Sequence, residues 1–246
     1  MLLRVRGKLW LALGVSVVLL VASGLGASAS GSDIYPSGTT GYDVSYPDCG
    51  STLPGSGAFG IVGATGGRAY TANTCFAAEL SWAETAPAPP SAYMNLNYAI
   101  GSTASNGNTG PAGTCGRKDK ACIAYNYGYN AAAYAASLVP SSVTISTWWL
   151  DIETSNSWST NTSLNVDVIQ GAVDYWQTHG ATVGIYSTAS QWQTIAGSYA
   201  PGLPNWVASA TSATANSFCS ASHAFGGGTV WLVQYPSNGF DGDYAC

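Results

Sequence analysis

The apolar run VTISTWWLDIE (143–153) ends abruptly in two acids, Asp151 and Glu153. Charged side chains make up only 8% of the chain, so two carboxylates closing such a run stand out. On a β-strand they would face the same side, roughly 7 Å apart. Like charges so placed push their proton affinities apart, leaving one carboxyl able to hold a proton near neutrality. Such a pair could protonate a leaving oxygen while stabilising positive charge on a sugar ring. The competing reading is a strand that ends in water with two hydrated acids.

The elements that must position this pair follow from periodicity. GYDVSY (41–46), FGIVGA (59–64), SAYMNLNY (91–98), the 143–153 run, TVGIYS (182–187), NWVAS (205–209) and TVWLVQY (229–235) read as strands, with a last short one near Tyr244–Cys246. Helices fit 74–85, 130–138 and 163–179. The last has Val166, Ile169, Val173 and Trp176 as a core face, Ser163 as cap and Gly180 as stop. Strands alternating with helices predict an α/β fold with a parallel sheet. Seven or eight of them favour a single-domain, irregular TIM-like (β/α) barrel over residues 41–246. In such barrels chemistry gathers at the C-terminal ends of the strands, where Asp43, Asp151, Glu153 and Gln234 would meet. If Asp151 and Glu153 face inward, so does Trp149, while Trp148, Leu150 and Ile152 face the helix layer.

Composition narrows the setting. Residues 1–29 carry a basic leader (Arg4, Arg6, Lys8), an apolar core and Ala27-Ser28-Ala29, the pattern of a cleaved signal peptide. Residues 30–40 read as a flexible spacer. The 217 residues after the leader keep four cations against twelve acids, a net charge of −8. Such a chain is a poor nucleic-acid binder. No later segment is apolar enough to span a bilayer, so a secreted, extracellular or cell-wall associated monomer is expected. Six cysteines in the exported part argue for three disulfides. The preferred pairing joins chain neighbours: Cys49–Cys75, Cys115–Cys122 and Cys219–Cys246. Short C-x-x-C pairs are missing, so neither metal nor cofactor is expected. His179, at a helix end, and His223, in a loop, come without a G-x-S-x-G elbow, which argues against a Ser/His hydrolase.

Four segments in order resemble glycoside hydrolase family 25, the lysozyme-like secreted muramidases: GYDVSYPD, WWLDIET, TVGIYSTASQW and WLVQYPSNGFDGDYA. The resemblance implies hydrolysis of β-1,4 bonds in peptidoglycan or a related N-acetylated glycan. It implies Glu153 as general acid, Asp151 as the group orienting the substrate acetamido, Asp43 as a positioning acid, and Asp241 as the fourth acid, with Asp243 as the alternative. Tyr46, Tyr186, Trp192 and Tyr235 lie at or beyond strand ends and are candidate sugar platforms, with Gln234 a hydrogen-bonding candidate. A nucleophilic carboxylate or an inverting route stays open, since the separation that distinguishes them is not a sequence property. Two segments depart from the family. Its K-A-T-E-G pattern is Gly63-Ala64-Thr65-Gly66-Gly67 here, and its Tyr-His pair gives way to Asn95 and Asn97. A barrel that binds glycan without cutting it is therefore the second reading. Arg117, Lys118 and Lys120 crowd the Cys115–Cys122 segment, as a solvated tip or a contact for anionic wall polymers.

Overall fold

The computed structural model describes residues 34–98 and 101–246; the expected signal peptide lies outside the described residues. Eight strands close into a barrel: β1 (Thr40–Val44), β2 (Gly60–Gly63), β3 (Ser91–Asn95), β4 (Thr147–Asp151), β5 (Thr182–Ser187), β6 (Asn205–Val207), β7 (Val230–Ser237) and β8 (Phe240–Ala245). They stand in chain order around the barrel, β1 to β7 parallel and β8 antiparallel to both neighbours. The reversal has a local cause. Only Asn238 and Gly239 separate β7 from β8, too few for a crossover, and both adopt positive φ (53° and 86°), as a two-residue hairpin requires.

Among the described residues, the helices α1 (Phe76–Ala83), α2 (Lys120–Ser137), α3 (Thr162–Thr178) and α4 (Ala189–Ala196) cover the outside. α3 starts one residue earlier than the periodicity suggests, because Asn161, not Ser163, is the cap: its side chain accepts from the Ser163 N–H. α2 begins ten residues before its Ala-rich part, where Asp119 accepts from the Cys122 N–H. α4 fills a segment read as loop. Thr188 caps it through the Gln191 N–H, and its period turns Trp192, Ile195 and Ala196 inward. Between β6 and β7 only a 3-10 turn (Ala215–Phe218) intervenes, one of the short crossovers that the chain length demands.

Strand alternation separates two cores. Val62, Met94, Trp148, Leu150 and Ile185 point outward against Leu80, Val168 and Trp176 of the helices, with Trp148 stacked on Trp176 at 4.0 Å. Ile61, Trp149, Trp206 and Leu232 fill the interior. A Cβ on Gly184 would lie 2.3 Å from the Trp149 ring, so this bare position on β5 makes room for the indole. The segment read as spacer is partly structural: Tyr35 is buried in the interior cluster, where its hydroxyl meets Ser91 Oγ and accepts from Trp149 Nε1. Disulfides Cys49–Cys75, Cys115–Cys122 and Cys219–Cys246 tie the β1 loop to α1, the hairpin of residues 109–114 to α2, and the 3-10 turn to the chain end.

Candidate active site

At the C-terminal end of the parallel strands a pocket of about 140 Å³ opens, lined by Asp43, Tyr93, Asp151, Glu153, Tyr186, Trp206, Gln234 and Asp241. The pairing register accounts for this company. Asn95, Asp151 and Tyr186 lie side by side on β3, β4 and β5, and Trp206 follows opposite Tyr186 on β6. Asp43 faces Asp241 across β1 and β8, and Asp243 faces Gln234 across β8 and β7. β4 ends at Asp151, so Glu153 stands two residues beyond it, in the loop rather than on the strand. Its carbonyl accepts from Trp158 Nε1 (2.8 Å) and from the Asn156 N–H (3.1 Å), which fixes the turn that carries its carboxyl.

Trp206 forms the floor. Its ring meets Tyr186 at 4.7 Å and Tyr93 at 5.9 Å, both edge-on, and its Nε1 donates to Asp243 Oδ1 at 2.7 Å. On one wall Tyr186 donates to Gln234 Oε1 (2.7 Å), and Gln234 Nε2 donates to Asp43 Oδ2 (3.0 Å). On the other, Asn95 Nδ2 donates to Asp151 Oδ2. Thr65 Oγ1 in turn donates to Asn95 Oδ1 and accepts from the Asn95 N–H, both at 2.8 Å, so the amide cannot flip. The two segments that depart from family 25 thus form one neutral network behind an acid. Asp151 Oδ1 has no hydrogen-bond partner among the described residues, leaving a buried acceptor at the pocket.

Electrostatics follow from burial without cations. Asp151 is pushed well above the usual carboxylate range, first by burial and then by the charge of Glu153. Burial raises Asp43, reinforced by Asp241, against the opposing hydrogen bond from Gln234. Burial also raises Asp243, reinforced by Asp43, against the bond from Trp206. Asp241, at the exposed rim, is raised by burial of its carboxyl and by Asp48. Acids so raised bind protons more tightly folded than unfolded. Their stability contribution is complete below the ordinary aspartate value of 3.8 and is lost as pH rises through the folded values. The melting temperature should therefore fall from about pH 4 towards neutrality. Asp243→Asn keeps an acceptor for Trp206 and should raise it at pH 7 by about 3–6 °C, but not at pH 4. An unchanged pH slope in scanning calorimetry would refute this account.

Asp43, Asp151, Glu153, Asp241, Tyr186 and Gln234 come together as the sequence suggests; three aromatic candidates do not. Trp192 is buried on α4 outside the barrel, with Tyr199 and Phe225 as ring neighbours. Tyr235 follows inward-facing Gln234 on β7, so alternation turns it outward, against Ala210, Ala215 and Val233. Tyr46 is 49% exposed on the 3-10 turn after β1, against Gly67 rather than in the acid pocket. Tyr93 and Trp206 were not singled out from sequence, although alternation puts Tyr93 on the face of Asn95. Asp243 lies beneath the pocket, not on its wall, which leaves Asp241 as the accessible member of that pair. His179 stacks on Tyr175 and His223 on Phe218, and neither lines the pocket. Arg117 and Lys118, on the turn before α2, and Lys120, at its first position, are exposed and do not line it either.

Comparison with known proteins points one way. The family described as Lysozyme-like protein 1 (Lys-1) matches residues 125–229. A probable GH family 25 lysozyme 4 of Dictyostelium discoideum is 45% identical over 62 residues, 24% of this chain and 29% of that protein. A probable GH family 25 lysozyme 2 of the same organism is 40% identical over 62 residues, with the same shares. The matched stretch thus spans under a third of these relatives. The fold is shared more widely. A family GH25 lysozyme from Aspergillus fumigatus superimposes with a TM-score of 0.58 at 17% identity, over 85% of this chain and 93% of its own. A bacterial lysozyme from Streptomyces coelicolor gives 0.56 at 20% identity, over the same shares. The chain is glycoside hydrolase family 25-like in fold and in its matched segment.

Proposed function

We propose that this family 25-like barrel is a muramidase-type glycoside hydrolase, exported to the cell exterior or wall, that cleaves β-1,4 bonds of peptidoglycan or a related N-acetylated glycan as a monomer. The reading rests on one observation: four acids from β1, β4, the β4 loop and β8 line a single open pocket at the catalytic end of the barrel. The pocket's 140 Å³ suits a ring substituent and a water better than a chain, so the glycan would run across the rim.

In this scheme the substrate acetamido N–H donates to Asp151 Oδ1, the acceptor left without a partner. Its carbonyl oxygen attacks the anomeric carbon, the glycosidic C–O bond breaks, and Glu153 passes its proton to the departing oxygen. Water then attacks the same carbon, the ring C–O bond of the oxazolinium opens, and Glu153 takes the released proton. Burial, and then the charge of Glu153, favour the protonated form of Asp151. A substrate N–H arriving at Asp151 favours its carboxylate, the form that orients the acetamido. Asp43, held by Gln234, and Asp241 at the rim would position the sugar and the water. Tyr186 and Trp206 would offer ring surface to the sugar.

Reducing ends released from purified peptidoglycan, with the anomer followed by proton NMR, test the scheme. Release with retained configuration is expected; inversion would overturn substrate assistance, and retention of glycan without release would favour a binding barrel. That second reading draws on the uncharged Gly63–Gly67 segment, where family 25 carries two charges. Asn95→Ala tests the positioning network: it should lower kcat about tenfold with little change in KM and narrow the pH profile, because Asp151 loses its oriented donor.

A further inference from the structure

A second cavity, about 490 Å³, lies on the same end of the barrel, lined among others by Arg68, Tyr70, Asn97, Tyr127 and Ser155–Ser157. It is framed by the loops after β2, β3 and β4, the last being the turn that carries Glu153. The Tyr98 N–H donates to the Ser157 carbonyl, and Asn97 Oδ1 accepts from the Ala69 N–H, so the three loops are tied together under the cavity. The site is much larger than the acid pocket and holds no acid. It holds a cation instead. Arg68 is the one basic residue beyond residue 29 outside the Cys115–Cys122 tip.

The loop that presents Arg68 is built to stay put. Thr65 bridges Ala72 at its base, the Gly66 N–H donates to the Thr71 carbonyl, and the Arg68 carbonyl accepts from both the N–H and the hydroxyl of Thr71. Tyr70 sits at φ +61°, a conformation that costs free energy in a non-glycine residue. Its ring packs edge-on against Tyr127, and its hydroxyl donates to the Tyr127 carbonyl, which holds it there. A strained, hydrogen-bonded loop that holds the Arg68 backbone at the cavity wall, with its side chain exposed there, suits recognition of a planar anion.

We propose that this cavity is a substituent subsite, in which Arg68 binds a carboxylate of the acidic lactyl or peptide group carried by the sugar next to the bond being cut. The assignment rests on the muramidase reading and deepens it, making Arg68 a specificity residue rather than a catalytic one. It also separates two glycan classes with the same β-1,4 linkage. Glycans bearing carboxylated substituents gain a contact that plain N-acetylglucosamine polymers lack.

The test compares wild type, Arg68→Gln and Arg68→Lys on disaccharide-peptide oligomers with their carboxylates free or converted to amides. Binding is read by calorimetry and cleavage by reducing-end release. Arg68→Gln should weaken affinity and raise KM for the free-carboxylate oligomers about fivefold, as expected for one partly exposed ion pair. kcat should be unchanged. Arg68→Lys should recover part of the loss, and the amidated oligomers should not distinguish the variants. High salt should erase the wild-type preference. Equal affinity of wild type and Arg68→Gln for the free-carboxylate form, or equal loss on both oligomer forms, overturns the subsite while leaving the hydrolase reading intact. Arg68-dependent binding without any cleavage supports the subsite and removes the hydrolase reading. No binding at all removes both.

Discussion

Glu153→Gln is expected to lower kcat for wall cleavage by about three orders of magnitude while leaving the melting curve and glycan binding near wild type. Loss of a general acid costs about 10²–10⁴ in rate, and a leaving sugar alkoxide is a poor group to expel unprotonated. Folding should survive, because Glu153 lies beyond the end of β4 in a turn held by its own backbone carbonyl, not by its carboxyl. The pH profile adds a discriminating detail. Asp151 is held above the usual carboxylate range by burial and then by the charge of Glu153. It must be ionised to accept the acetamido N–H, so the rate should fall as pH drops and it takes up a proton. Asp151→Asn removes this titration, so the acidic limb should flatten as kcat falls. A Glu153→Gln protein that clears walls at more than a tenth of the wild-type rate would exclude Glu153 as the proton donor.

The parts of the site legible in the sequence were those governed by strand period. Asp151 and Trp149 share the inner face while Trp148 and Leu150 turn to the helices, because alternation leaves a strand no other choice. The same rule was available for Tyr235. It follows Gln234 directly, so only one of the two could face the pocket, and the carboxylate partner Asp43 selects Gln234. Trp192 misleads for a different reason. It lies four residues past the Thr188 cap, where a helix rather than a loop carries it back to the outer core. Tertiary pairing was not legible. That Asp241 lies at the rim and Asp243 beneath it depends on the β8 register against β1 and β7, and on Trp206 reaching across to Asp243. The Thr65–Asn95–Asp151 chain likewise joins three strand ends that are remote in sequence. Of its members only Asn95 looked like a loss in the sequence, and it joins Thr65 and Asp151 as a partnered set only once the barrel closes.

Gly128→Ala should destabilise the protein by about 2–4 kcal/mol, against the usual expectation for a glycine inside a helix. Propensity alone would favour alanine by about 1 kcal/mol. Packing decides otherwise. A Cβ at Gly128 on α2 would lie 1.8 Å from the Val168 carbonyl oxygen of α3, and a Cβ at Gly171 on α3 would lie 2.1 Å from the Tyr125 carbonyl oxygen of α2. Both obstacles are backbone, so relief requires the helices to separate and the intervening core to open. Each glycine thus admits the other helix's main chain, and the two form one close crossing. The energies should therefore not add. Once Gly128→Ala has forced the helices apart, Gly171→Ala has less left to disrupt, and the double variant should cost clearly less than the sum. Urea unfolding of the four proteins measures this directly. The effect should also reach the site, because β4 leads through the Glu153 turn into α3, so a displaced α3 pulls on the loop that holds the acid. A stabilising Gly128→Ala, or strict additivity with Gly171→Ala, would mean that the crossing is looser than these distances require.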